Sequence, residues 1–461
     1  MPDEGAKKAH WMPPETFPRE DIVKATEALM ARPDIETGQS EDIYRIHEVG
    51  FDWDMGAVVY EPKDPAKIPT GSDGKKVGVF LLHGGSGDFK QMEKLARLLS
   101  GKYGFKVVSG TFPGRFYFDN DSRDWPGDPL HEDGTVRTPI WAKGENITPD
   151  QYEVVRDQSM RARYGTRTLA RAKPDSLFWH RMAAWPVAME MGMREAMKRH
   201  FPVGDYSVYF QGHSTGGPMV SMLSQRVPNC AGVLAAENSP FGYVDEQKHL
   251  WSGGLGKIEG YDRIVTRKKA KKRTDPFNEL YIRTWRDRAR YAGPEALGQE
   301  GPNALMRLPS LMEEIFDWWE KMRMRPQFKA EYLITHNIRG SLQQGAEVTA
   351  KRLNLNTDET QALIERYFGY SQELRGPGVK PVPPFLFGIA KDSRDHHIDG
   401  YREIVLPMFA QMSPAPRVTV TRFGAGIHHI WSPEPDLPLG IAPAVVQSWH
   451  DAIMGGYFVV D

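Results

Sequence analysis

The 461-residue chain has a single cysteine, Cys230. No intrachain disulfide is possible, so the fold is expected to hold in a reducing compartment without a covalent staple, and Cys230 reads as buried filler rather than a reactive thiol. No sign of charge dominates either, because 59 Lys and Arg face 60 Asp and Glu and the net charge is −1. That balance removes the long-range field by which nucleic-acid and anionic-membrane binders recruit their partners. Small, largely uncharged molecules are the expected partners, and the composition is compatible with a homo-oligomer. Long apolar runs are missing as well. No stretch approaches the ~20 apolar residues of a membrane span, and the opening "MPDEGAKKAHWMPPETFPRE" has no apolar block of signal-peptide length. A soluble cytoplasmic protein is the resulting expectation. No G-x-G-x-x-G follows a strand-like run and no Cys/His group has metal-ligand spacing, so neither a nucleotide cofactor nor a metal is expected. The pair His396-His397 beside Asp395 and Asp399 is the only cluster that comes near.

What is present is a succession of short apolar runs separated by helical patterns. Residues 1–40 are rich in Pro and charge, carry one helical stretch ("REDIVKATEALMARP"), and read as an arm over the surface. "DIYRIHEV" and "WDMGAVVYEP" suggest an antiparallel hairpin, and "KVGVFLLHGG" is apolar on both faces, as a buried parallel strand should be. "DFKQMEKLARLLSGKYG" then places Phe89, Met92, Leu95, Leu98 and Leu99 on one helical face before the strand "FKVVSGTFPG". This β-α-β order predicts a parallel sheet with right-handed crossovers. Residues 115–175 are polar and aperiodic and read as an insertion, and the helix "LFWHRMAAWPVAMEMGMREAMKRH" is expected to kink or break at Pro186. The strands "YSVYFQ", "CAGVLAAE", "PPFLFGIAKD" and "RVTVTRFGAG" complete the sheet, "GPMVSMLSQRV" and "IAPAVVQSWHDAIMGG" are helices, and 241–375, rich in charge and helical pattern, reads as a cap. The expected organisation is thus an α/β core of 41–240 and 376–461 with a helical cap inserted.

Three stretches carry chemistry. Gly212-His213-Ser214-Thr215-Gly216 fits G-x-S-x-G between a strand and a helix, the setting in which a tight, strained turn lifts a serine hydroxyl above the sheet. A serine hydroxyl is a poor nucleophile at neutral pH, so it needs an imidazole to take its proton and N–H donors for the oxyanion. His83-Gly84-Gly85-Ser86-Gly87 follows a strand and can aim the N–H groups of Gly84 and Gly85, with that of Thr215, at such an oxyanion. The base is sought in "GAGIHHIWSPEP", where His428 and His429 compete; His429 is preferred because Glu434 and Pro435 follow it at a spacing common after such a histidine. Two carboxylates compete to orient the base. Asp392 ends "FLFGIAKD", with Asp395 in reserve, and Glu237 ends the apolar "AGVLAAE", where a carboxylate is costly unless it is paired.

Through HGG at 83–85, GHSTGG at 212–217 and the late histidine, in the chain order serine, acid, histidine, the sequence resembles the α/β-hydrolase superfamily. More narrowly it resembles bacterial carboxylesterases whose triad acid is a Glu after the sixth strand, in a stretch like "GVLAAENSP", and whose histidine lies in a Gly-x-x-His loop. The resemblance covers the sheet core and implies Ser214 as nucleophile, His429 as base and Glu237 as acid. It implies hydrolysis of a small, apolar or aromatic carboxylic ester or lactone without a cofactor. An amide or C–C bond hydrolase and a non-catalytic binding protein on the same scaffold are the alternatives. The basic run "RKKAKKR" at 267–273 reads as a solvated loop, and Trp318-Trp319 as packing within the cap.

Overall fold

The computed structural model describes residues 15–48, 50–84, 89–113, 148–157, 167–172, 177–214, 216–224, 227–238, 382–393 and 415–460, with short pieces at 142, 354, 356–359, 398, 401 and 406. In chain order the elements are β1 (Glu15–Phe17), α1 (Arg19–Ala31), β2 (Thr37–Glu48), β3 (Phe51–Pro62), β4 (Lys76–Leu82), α2 (Glu93–Tyr103) and β5 (Lys106–Gly110). There follow β6 (Tyr152–Asp157), β7 (Arg167–Ala172), α3 (Leu177–His200), β8 (Tyr206–Gly212), α4 (Gly216–Leu223), β9 (Cys230–Ala236), β10 (Phe385–Ile389), β11 (Val418–Phe423) and α5 (Ala442–Met454). The cap expected at 241–375 and the helix expected over "GYREIVLPMFAQM" lie almost wholly outside the described residues. Within the 115–175 insertion the described part is an antiparallel hairpin of β6 and β7.

Nine strands form one sheet in the order β1-β11-β10-β9-β8-β4-β5-β3-β2. From β1 to β5 neighbours pair in parallel, while β3 runs antiparallel to both β5 and β2. A parallel strand in mid-sheet has helices over both faces, and accordingly every residue of β8 and β10 is buried and β4 is buried after its first residue. Edge strand β2 is instead mostly exposed, with Glu41, Asp42 and Arg45 along it, side chains that discourage pairing with another chain. Side chains alternate across β4. Val77, Val79 and Leu81 join a core with Leu95 and Leu99 of α2 and Val446, Trp449 and Ile453 of α5, whereas Phe80 meets Phe210 of β8 edge-on at 5.8 Å. Helix α2 ends where expected: Gly104, at φ 75°, closes its last turn through its N–H to Ser100 O. The order of strands, the antiparallel start and the tight turn after β8 give the chain an α/β-hydrolase fold.

One expectation is narrowed and one corrected. Helix α3 is not broken at Pro186 but is one helix from Leu177 to His200. Residues 15–40 are structure rather than a surface arm. Glu15–Phe17 adds a parallel edge strand beside β11, and α1 buries Ile22, Ala25, Thr26 and Leu29 in the core shared with α5. Ile22 is wholly buried, so Ile22→Ala is expected to cost about 2–5 kcal/mol in a urea titration. A loosely laid arm would lose less than about 0.5 kcal/mol, the usual range for a surface change.

Candidate active site

Strand β8 ends where the chain must reverse into α4, and Ser214 makes that reversal with a left-handed backbone, φ 52°. A non-glycine residue there costs about 1–2 kcal/mol and persists only where its surroundings hold it. They do so from three sides. His213 N–H donates to Leu82 O of β4 (2.8 Å), Gly216 N–H to His213 O (2.8 Å) and Gly217 N–H to Ser214 O (3.0 Å). The turn is so tight that a Cβ on Gly212 would lie 2.1 Å from Gly216 O, a backbone atom with no room to retreat. Gly212→Ala is therefore expected to exceed the ~4–5 kcal/mol that marks extreme single substitutions, seen as a collapsed urea midpoint.

Where β8 leaves the sheet, a side chain completes the ladder. Gln211, fully buried, donates from Nε2 to Ala236 O (2.9 Å) and accepts the Ala236 N–H on Oε1 (3.2 Å). Asn238 Nδ2 donates to Gln211 Oε1 (3.2 Å) and to Gly212 O. These amides hold the end of β9 against the serine turn, and Ser214 N–H donates to Glu237 O (3.4 Å). In the sequence the only mark of this clamp is Gln211, an amide near the end of a largely apolar strand.

Glu237 follows β9 with no exposed surface and, like Ser214, a left-handed backbone (φ 54°). A buried carboxylate needs donors, and this one has them on both oxygens. Oε1 accepts Ala390 N–H (2.6 Å); Oε2 accepts Ser393 Oγ–H (2.5 Å) and faces His428 Nδ1 at 3.2 Å. Ser393, not singled out in the sequence, thus shares the carboxylate with the histidine. With Nδ1–H given to Glu237, the tautomer is the one whose acceptor nitrogen is Nε2, an assignment made from the hydrogen bond. Asp392, the alternative acid, is exposed one residue before Ser393, and its backbone N–H donates to Gly426 O (3.0 Å). Asp395 lies outside the described residues.

The histidine loop corrects the preference for His429. Its ring lies parallel to Trp431 (centroids 5.6 Å, 7° between planes), and the Glu434 that recommended it serves the loop instead. Glu434 accepts Gly426 N–H on Oε1 (2.7 Å) and pairs through Oε2 with Arg19 at the start of α1 (2.8 Å). Neighbouring residues on a turn point in different directions, and it is His428 that reaches the acid. The rings of His428, His429 and Trp431 surround that of His213 at 4.6, 5.2 and 4.8 Å.

The glycine loop after β4 approaches the serine closely: a Cβ on Gly84 would come within 2.9 Å of the His213 ring and 3.3 Å of Ser214 Cβ. Its first residue is a fixture. Buried His83 accepts Phe112 N–H on Nε2 (3.3 Å), which puts its proton on Nδ1, facing Gly84 O at 2.8 Å. Gly84 N–H, expected among the oxyanion donors, is instead given to Gln91 Oε1 (2.8 Å). Gly85 and Thr215 lie outside the described residues.

No helix among the described residues is long and apolar enough to cross a membrane. No family model and no curated protein sequence matches the chain. It is similar in structure to an esterase of Rhizomucor miehei, at 11% identity and a TM-score of 0.38 over 95% of this chain and 90% of that one. Similar values hold for a variant of the esterase rPPE (12%, TM-score 0.36, 100% and 93%) and a peroxisomal alpha-beta-hydrolase of Saccharomyces cerevisiae (11%, 0.33, 92% and 90%).

Proposed function

We propose that the protein is a serine hydrolase that cleaves a carboxylic ester or lactone of a small, apolar or aromatic molecule, with Ser214 as nucleophile, His428 as base and Glu237 as acid. The observations that support the reading are a strained, partly exposed serine after β8 whose N–H donates to Glu237 O (3.4 Å), and the buried Glu237 carboxylate after the adjacent β9 that faces the half-buried His428 ring of the loop after β11. In this mechanism His428 Nε2 takes the Ser214 proton as Oγ attacks the carbonyl carbon. Glu237 stabilises the imidazolium that forms and fixes its tautomer. Thr215 N–H, at the start of α4, and the loop beyond Gly84, with Gly85, are the proposed oxyanion donors; the helix dipole favours negative charge there. His428 then protonates the leaving alcohol, and water repeats the sequence on the acyl-enzyme. Substrate choice is assigned to residues 241–375, which lie between β9 and β10 in the sequence.

A fluorophosphonate probe tests the reading directly. Covalent labelling of the peptide bearing Ser214, abolished by heat denaturation, is the expected result. An unlabelled native protein would favour a non-catalytic binding module on the same scaffold. Labelling without ester turnover would favour an amide or C–C bond substrate.

A further inference from the structure

We propose that His213, His428 and His429 together bind a divalent transition-metal ion, zinc above all, and that the ion shuts the enzyme off by occupying the nitrogen that Ser214 needs. The inhibitory half rests on the hydrolase reading; the binding half does not. Ligand atoms of the three imidazoles, of which His213 is buried, His428 half-buried and His429 the most exposed, lie within 4.8 Å of one another. Tetrahedral zinc bonded at ~2.0–2.1 Å holds its nitrogens about 3.4 Å apart, so binding would draw the His428 and His429 nitrogens inward toward His213. Sequence spacing could not show this group, because one member comes from the serine turn after β8 and two from the loop after β11.

The donor chemistry sets the class of ion. Three imidazoles suit zinc, copper, nickel and cobalt, whereas magnesium and calcium want oxygen. Three protein ligands leave a fourth position for water, the form of exchangeable rather than structural zinc. Glu237 supplies the usual partner of a metal-bound histidine: its carboxylate holds His428 Nδ1 at 3.2 Å, which aims Nε2. That lone pair can bond a proton or a metal, not both. Zinc and the Ser214 proton therefore compete for one atom.

The test uses the untagged full chain stripped with a chelator, zinc and cobalt chlorides, calorimetry, cobalt absorption and turnover of a p-nitrophenyl ester. Expected are one zinc per chain, a tetrahedral cobalt spectrum, turnover falling in step with occupancy, recovery on adding EDTA, and no response to magnesium or calcium. Glu237→Gln should weaken zinc about 10- to 100-fold. His429→Ala, or His429→Gln if the first fails to fold, should abolish the cobalt spectrum and raise the zinc inhibition midpoint about tenfold or more. Absence of binding, binding unchanged in the His429 variants, or activation by zinc would each overturn the proposal. Ser214→Ala separates the two readings, since it should bind zinc like the native protein. Zinc bound there with turnover indifferent to Ser214→Ala keeps the metal site and removes the hydrolase. Turnover through Ser214 with no zinc bound does the reverse.

Discussion

Ser214→Ala is expected to fold, to lose fluorophosphonate labelling and to lose about 10^4- to 10^6-fold in ester turnover. The size follows from what the hydroxyl alone does. With Oγ gone no acyl-enzyme forms, and the oxyanion donors and substrate binding retain only a small residual rate over water. The backbone should tolerate the change, because the left-handed turn at Ser214 is held by His213 N–H, Gly216 N–H and Gly217 N–H rather than by the hydroxyl. A folded Ser214→Ala protein with full turnover would remove the serine from the mechanism.

The second large effect separates two adjacent residues. His428→Ala is expected to match Ser214→Ala in loss of turnover, while His429→Ala, which removes a ring parallel to Trp431, should cost about tenfold or less. Glu237→Gln should lower turnover by about 10^4, because an amide at that place no longer fixes the His428 tautomer. Asp392→Asn, on an exposed side chain, should stay near native. Steady-state turnover of the four proteins, each checked for native circular dichroism, decides the assignment. The reverse order for the two histidines would return the base to His429.

The elements legible in the sequence were those fixed by local pattern. "KVGVFLL", "YSVYFQG" and "FLFGI" could be recognised as buried parallel strands because burial on both faces leaves an unbroken apolar run. The glycines around Ser214 were equally readable, since a turn that admits no Cβ leaves its mark in residue type. What was not legible depends on distant partners. "ETF" is too short to announce itself as a strand, and it pairs only because β11, far along the chain, presents a free edge. The choice between His428 and His429 turns on the direction of two neighbouring side chains in a loop, which residue type does not encode. The bond from Gly84 N–H to Gln91 and the role of Ser393 beside Glu237 exist only in the folded chain, so residue type does not announce them.

The bond between Arg19 and Glu434 joins residues 415 positions apart, and β1 can pair only with β11. Contacts so remote in sequence make loop closure costly and slow, and a chain emerging from the ribosome begins to fold from its N-terminal end. Here the first strand and helix must wait for almost the last segment to be made. The loop that carries His428 is braced by Glu434, whose own brace is Arg19. Assembly of the His428 loop against α1 is thus a late event of folding that waits for the segment bearing β11 and Glu434.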